Sequence, residues 1–373
     1  MTENKRTVFN TNNSGHKSGK YPIFLGPPLG LHDTIRIAYP ELEDLYLTQR
    51  SLVWTEDEIN LEQSRMDMIP LGKGGKTRPE EIDILTKAVS YLWEADSIAS
   101  RSVISIFSPF LSNSEATAMM TEQTRFEVIH AKTYSEIVRQ CAMDKDKIIE
   151  DTIKNEEILN RTDIIIKAFD DLIYYGAQYN LGNKTISMET YREVVLTGVM
   201  ALYLLERVQF MSSFAVVFGL AEHDKFKGIA DLVRWVARDE LVHAKMMSTI
   251  INILKRYDDW NSTYERLIPK FQAMTKEVVE REFQWNKYLF SEGRNMIGLN
   301  PEILDAWVKY CAVDLCNNIN LAHDYGGVEN PIPWVNNWLE FDKVQNANQE
   351  SDNTNYRTNS ISNDLGDDEI FDL

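Results

Sequence analysis

The sequence predicts an all-α protein, an antiparallel bundle of long helices. Three observations carry this. Apolar residues recur at three- and four-residue spacing through Glu81–Phe107, Ala116–Cys141, Glu156–Asn180, Met188–Glu222 and Lys227–Tyr257. Alternating β-branched runs that would compete as strands are few. Short turn-like sequences join the periodic segments, and long helices on short connections pack as antiparallel neighbours.

In chain order, residues 1–35 read as irregular, rich in Asn, Gly and Ser, with the turn FLGPPLG at Phe24 to Gly30. Thr55-Glu56-Asp57-Glu58 has capping-box form and predicts a helix from Thr55 to about Asp67. Trp54, just before that cap, suits a hydrophobic staple onto Ile59. The stretch KGGKTRPEE follows as a flexible link. After the five long helices, two more are expected near Thr263–Leu289 and Glu302–His323. Residues 345–373 carry seven acids against one Arg and few apolar side chains, the composition of a disordered tail. Glu369-Ile370-Phe371-Asp372-Leu373 ends it with apolar residues suited to docking on a partner. The organisation is an irregular segment 1–35, a helical domain 36–344 and an acidic tail 345–373.

The 373 residues are 43% hydrophobic, enough to bury a large core. A net charge of −18 repels phosphate backbones and anionic lipid, which argues against nucleic acid and membrane as partners. The most apolar stretch, Val194 to Leu205, reads as too short to span a bilayer. The first twenty residues hold no apolar run, so no signal peptide is expected and the protein is placed in the cytoplasm. Cys141, Cys311 and Cys316 fit neither a CxxC pair nor zinc-finger spacing and read as small core residues.

Among only six histidines, two stand in the same local pattern, Glu127-Val128-Ile129-His130 and Glu240-Leu241-Val242-His243. Glu-x-x-His puts a carboxylate and an imidazole on one helix face, a donor pair suited to iron or manganese. A two-metal bundle site needs a further carboxylate from each of two other helices. Asp96 precedes Glu127 by 31 residues, and the midpoint falls in SPFLSNS. Glu206 precedes Glu240 by 34, and the midpoint falls in AEHDKFKG. If each interval is a helix hairpin, Asp96 comes level with Glu127 and Glu206 with Glu240. Two such hairpins face to face give four carboxylates and two imidazoles around two cations. As ordinary helix charges these acids would need water. Glu206, however, follows ALYLL on the Val208, Phe210, Phe214 face, where a lone carboxylate costs several kcal/mol, on the order of a buried ion's penalty.

Tyr134 lies one turn beyond His130, on the same side. Phe210, Phe214 and Val236 stand at helical spacing from Glu206 and Glu240 and would wall a pocket with unreactive side chains, as core residues do in any bundle. Asp239 suits two readings: acceptor of the second ring N–H of a metal-bound histidine, or a solvated helix charge paired with a nearby base such as Arg238.

These residues, with the phrases ADSIASR, FEVIHAKTYSEI, ERVQFMSSFAVVFGLAE, VARDELVH, TVFNTN and QRSLVWTEDEINL, resemble the radical-generating small (β) subunit of class I ribonucleotide reductase over nearly the whole chain. The resemblance implies a ferritin-like bundle, a homodimer, and two metal ions per chain that react with dioxygen: iron first, manganese in some relatives. It implies that Asp96, Glu127 and His130 hold one metal and Glu206, Glu240 and His243 the other, with Glu127 and Glu240 able to bridge. It implies a stable radical at Tyr134, with Phe210, Phe214 and Val236 as its surroundings. It assigns Trp54, Asp239 and the tail residue Tyr356 to radical transfer, and the C-terminal residues to docking on the large (α) subunit. Two other readings share such ligands. A desaturase- or hydroxylase-type di-iron oxidase has no use for a mobile tyrosine or docking tail, and ferritin-like storage proteins have shorter chains.

Overall fold

The computed structural model describes residues 7–19 and 21–339. The tail from residue 340, with Tyr356, lies outside the described residues. Among these there is no strand, only isolated bridges such as Phe24 with Leu111 and Pro70 with Thr77. The helices, in order, are α1 (Gly15–Ser18), α2 (Pro40–Ser51), α3 (Glu62–Asp67), α4 (Pro79–Phe107), α5 (Ser114–Cys141), α6 (Lys145–Lys154), α7 (Glu156–Asn180), α8 (Met188–Leu204), α9 (Met211–Ala221), α10 (Lys227–Leu254), α11 (Asp258–Leu289), α12 (Pro301–Asn318) and α13 (Asn336–Leu339).

The long helices begin where local chemistry satisfies their first N–H groups. Arg78 and Glu81 close a capping box ahead of α4, with Pro79 at the first helical position. The Asn113 side chain accepts from Ala116 N at 2.8 Å to start α5. Asn155, Ser187 and Asn300 do the same for α7, α8 and α12. The two hairpins turn where expected: α4 ends at Phe107 and α5 starts at Ser114, and α9 ends at Ala221 before α10 starts at Lys227. The helices α4 and α5 pack along each other, and α10 packs on α5, α8 and α9. A single apolar core runs through all of them.

Four expectations need correction. First, no helix runs from Thr55. Glu58 Oε1 accepts from Thr55 N at 2.8 Å, but Thr55 Oγ1 donates to Asp57 and Glu58 instead of accepting from Glu58 N, so only half of the capping box forms and it closes a single turn. Ile59 and Leu61 are both buried although two residues apart, a spacing that an extended chain satisfies and a helix does not. Gly228 lets α10 approach this strip closely, since a Cβ there would lie 2.8 Å from Asn60 O. Helix α3 therefore starts only at Glu62. Second, Met188–Glu222 is not one α-helix. It is broken by a π-turn at Leu205–Gln209, closed by Phe210 N to Leu205 O at 3.3 Å. Third, Met188–Ala221 as a whole is long and apolar enough to cross a membrane by length and composition, contrary to the reading of Val194 to Leu205 alone. Of its most apolar 18-residue window, 89% is buried inside the bundle, as in a core helix. Fourth, α12 ends at Asn318, short of His323.

Candidate metal centre

Four elements converge on one point. Helix α4 brings Asp96, α5 brings Glu127 and His130, the π-turn brings Glu206, and α10 brings Glu240 and His243. All six side chains are fully buried. Their ligand atoms fall into two groups within which each atom lies within 4.8 Å of the others: Asp96, Glu127, His130 and Glu240; and Glu127, Glu206, Glu240 and His243. These groups could hold two metal ions.

Two carboxylates belong to both groups. Glu127 puts Oε2 3.5 Å from His130 Nδ1 and Oε1 3.0 Å from His243 Nδ1. Glu240 puts Oε1 2.9 Å from His130 Nδ1 and Oε2 2.8 Å from His243 Nδ1. Asp96 lies only on the His130 side, 4.0 Å from its Nδ1, and Glu206 only on the His243 side, also at 4.0 Å. Both histidines thus turn Nδ1 inward and Nε2 outward.

The electrostatics test whether cations fit. Both oxygens of Asp96 are buried without a hydrogen-bond partner. Burial pushes the Asp96 carboxyl well above its ordinary range, and the neighbouring Glu240 adds to the shift. Burial does the same to Glu206, with Glu240 and Glu127 reinforcing it. Burial opposes a charge on His243, yet Glu127 and Glu240 outweigh it and lift its pKa to about 9. His130 is likewise lifted, against its burial, chiefly by Glu240. Four acids this close cannot all ionise in a dry interior without positive charge. Protons or cations must supply it, and an oxygen-rich set with two imidazoles is the donor chemistry of iron and manganese.

The outward nitrogens are held from behind. His130 Nε2 lies 3.2 Å from Asp239 Oδ2. A carboxylate accepts, so that nitrogen carries hydrogen, and once a cation displaces the other proton Nδ1 offers its lone pair toward the site. The same Asp239 oxygen accepts from Trp54 Nε1 at 2.7 Å, while Arg238 Nε donates to its other oxygen at 3.0 Å. Trp54 is therefore not the plain staple that its place before Thr55 suggests. The outer nitrogen of His243 meets the amide of Gln49, on a helix that the sequence analysis did not foresee. Gln49 Oε1 is buried without a partner, so a half-turn of this amide offers an acceptor to His243 Nε2 and frees Nδ1 for a cation.

Gln123 is a second residue that sequence reasoning passed over. Its Nε2 donates to Glu206 Oε1 at 3.1 Å and lies 3.4 Å from Glu127 Oε1. Its place four residues before Glu127 was the available signal. The π-turn is held by two arginines, Arg161 from α7 and Arg207 of the turn itself. Arg161 NH2 donates to Gln209 O at 2.5 Å, and Gln209 Nε2 returns a bond to Arg161 O at 2.6 Å. Arg207 Nε donates to Asp314 Oδ2 at 2.7 Å.

Tyr134 is fully buried, and its hydroxyl finds no hydrogen-bond partner among the described residues. Burial first, and then the charge of Asp96, keeps its phenol from ionising. Phe210, Phe214 and Val236 are buried as well, with the two phenyl rings 5.7 Å apart and Phe210 6.3 Å from Tyr91.

Comparison with known proteins bears on what this arrangement is. The family described as "Ribonucleotide reductase, small chain" matches residues 32–331. A ribonucleoside-diphosphate reductase subunit beta of Buchnera aphidicola is 29% identical over 93% of this chain and 94% of its own. The subunit of that name from Haemophilus influenzae is 30% identical over 92% and 93%. A solved ribonucleotide reductase R2 subunit from Clostridium botulinum superposes with a TM-score of 0.75 at 25% identity, covering 90% of this chain and 98% of that one. The helical order, the converging acids and histidines and a match running through nearly all of the described bundle lead to one assignment: the chain belongs to the ribonucleotide reductase small-chain family.

Proposed function

We propose that the chain is the radical-generating β subunit of a class I ribonucleoside-diphosphate reductase, acting as a homodimer with a large α subunit. The observation that carries this reading is that Glu127 and Glu240 each reach both His130 and His243. One carboxylate shared between two nitrogen ligands suits a pair of cations held close together. Asp96, Glu127 and His130 would hold one ion and Glu206, Glu240 and His243 the other. Iron is the first choice and manganese the alternative, since the donor set accepts either. When bound, such a pair supplies the electrons that reduce dioxygen and leaves the protein one oxidising equivalent.

The chain's own residues do the rest. Tyr134 would give one electron to that oxidising equivalent and its phenolic proton to a carboxylate of the centre, Asp96 being the one whose charge acts on it most strongly, and keep the radical in a dry, apolar setting, with Phe210, Phe214 and Val236 as unreactive walls. His130, Asp239 and Trp54 form a hydrogen-bonded line leading away from the centre. Asp239 can take the indole proton when Trp54 loses an electron and return it afterwards. Tyr356 and the C-terminal docking residues would carry the relay to the α subunit, where a cysteine is oxidised and reduction of the ribose 2′-OH begins.

Electron paramagnetic resonance on apoprotein given ferrous iron and oxygen, with total metal quantified, tests this. A tyrosyl signal in the wild type that is absent from Tyr134→Phe, at equal iron content, is the expected result. Full activity of Tyr134→Phe would sink the radical assignment. Deletion of residues 350–373 should leave the radical intact and abolish α-subunit binding.

A further inference from the structure

Trp235 has no part in the site described so far. It lies on α10 one turn before Asp239, so the two side chains share a helix face. Its ring packs against Trp54 with centroids 5.2 Å apart and planes at 57°. Trp54 is buried, whereas Trp235 is only partly buried at the edge of the core. On its other side Trp54 stacks on His130, with centroids 6.0 Å apart at 22°. One unbroken set of contacts therefore runs from the inner histidine to a ring that solvent reaches: His130, Trp54, Trp235.

The chemistry of the two indoles makes this more than packing. Indole is the most easily oxidised of the neutral aromatic side chains, and two rings in van der Waals contact exchange an electron readily. Trp54 alone ends the line inside the protein. A phenylalanine or leucine would fill the space beside it equally well, and neither could pass a charge.

We propose that Trp235 is the surface end of the electron path: electrons enter the protein at Trp235 and pass to Trp54. This rests on the radical function proposed above. Trp235 gives one electron to the Trp54 indole radical. Trp54 returns to the neutral indole and takes back its Nε1 proton from Asp239. The Trp235 radical cation so formed is reduced by a one-electron donor outside, either a small reductant or an oxidisable side chain of the partner subunit.

Two measurements on full-length protein test it. In the metal-free protein, circular dichroism should lose the same coupled-indole couplet in Trp235→Phe and in Trp54→Phe, as two tilted rings in contact require; independent difference spectra would overturn the packing on which the path depends. The second is stopped-flow absorbance of ferrous-loaded protein mixed with oxygen and ascorbate. The transient indole radical, identified by its absence from Trp54→Phe, should persist an order of magnitude longer or more in Trp235→Phe, with unchanged iron content and melting temperature. Trp235→Tyr, which restores an oxidisable ring, should recover most of the rate. A wild-type radical whose lifetime is the same in Trp235→Phe overturns the relay and leaves the radical function standing. No organic radical in the wild type overturns both.

Discussion

Trp54 donates its indole N–H to Asp239 at 2.7 Å across 185 residues of sequence, onto the same carboxylate oxygen that His130 Nε2 meets at 3.2 Å. One oxygen thus links a metal-facing imidazole to an indole on its way outward. Asp239→Asn keeps the size but offers only one acceptor atom, and Arg238 loses its charge partner. Loss of such an outer partner ordinarily costs about 10–100-fold in metal affinity or activity. The variant should fold, bind metal more weakly and lose reductase turnover by a similar factor. Turnover with added α subunit, beside a metal titration, measures both; wild-type values in each would show that the shared oxygen is dispensable.

The bridging geometry makes unlike predictions for unlike acids. Glu240→Ala removes a donor from both groups, whereas Asp96→Ala leaves Glu127, Glu206, Glu240 and His243 in place. Asp96→Ala should therefore keep one tightly held ion per chain. Glu240→Ala should weaken both. Equilibrium dialysis against manganese, which avoids oxygen chemistry, reads the stoichiometry directly. Equal losses in the two variants would contradict the sharing of Glu240.

Protonation of the apoprotein gives a third expectation, with its sign fixed by linkage. His243 rises to about 9 when folded, against an ordinary value near 6.5. The folded state then binds more protons than the unfolded one between those values. The resulting stabilisation is complete below the unfolded pKa and is lost as pH rises through about 9. Metal-free protein should accordingly melt at lower temperature at pH 9 than at pH 6.5. Cations replace the protons, so metal loading should flatten this slope and release protons on binding. Calorimetric melts with and without manganese check both points. An apoprotein whose stability rises toward pH 9 would reverse the assigned charge balance.

Much of this was legible from residue spacing, and what was not has physical reasons. Hairpin midpoints at SPFLSNS and AEHDKFKG placed Asp96 against Glu127 and Glu206 against Glu240 because helices of equal rise return to level after a short turn. Helix α2 was missed because its buried positions are only Leu42 and Gln49, too few to make an apolar stripe. Gln49 is buried there for a polar reason, its contact with His243, and a contact across 194 residues leaves no local pattern. The π-turn was missed because one added residue per turn alters no composition. The tail's Tyr356 and docking peptide lie outside the described residues and stand on the sequence alone.

The π-turn yields the last prediction. It presents Glu206, and its carbonyl at Gln209 is held by Arg161, a buried cation between Tyr91 and Trp285 with its charge centre 3.5 Å and 4.4 Å from their rings. Glu282 neutralises it through bonds of 2.6 Å and 2.5 Å. Removing one partner of a buried pair leaves the other charge without compensation, at about 3–5 kcal/mol. Arg161→Met should lose about that much in urea denaturation, because Glu282 is left alone. The pair Arg161→Met with Glu282→Leu replaces both charges with apolar groups and should recover most of the loss. Recovered stability need not mean a recovered site, since the double variant still lacks the donor to Gln209 O. If that bond fixes the π-turn, the double variant should be stable and yet bind the ion on the Glu206 and His243 side more weakly than the ion on the Asp96 and His130 side. A stable double variant with two wild-type affinities would mean that Arg207 and Asp314 hold the turn unaided.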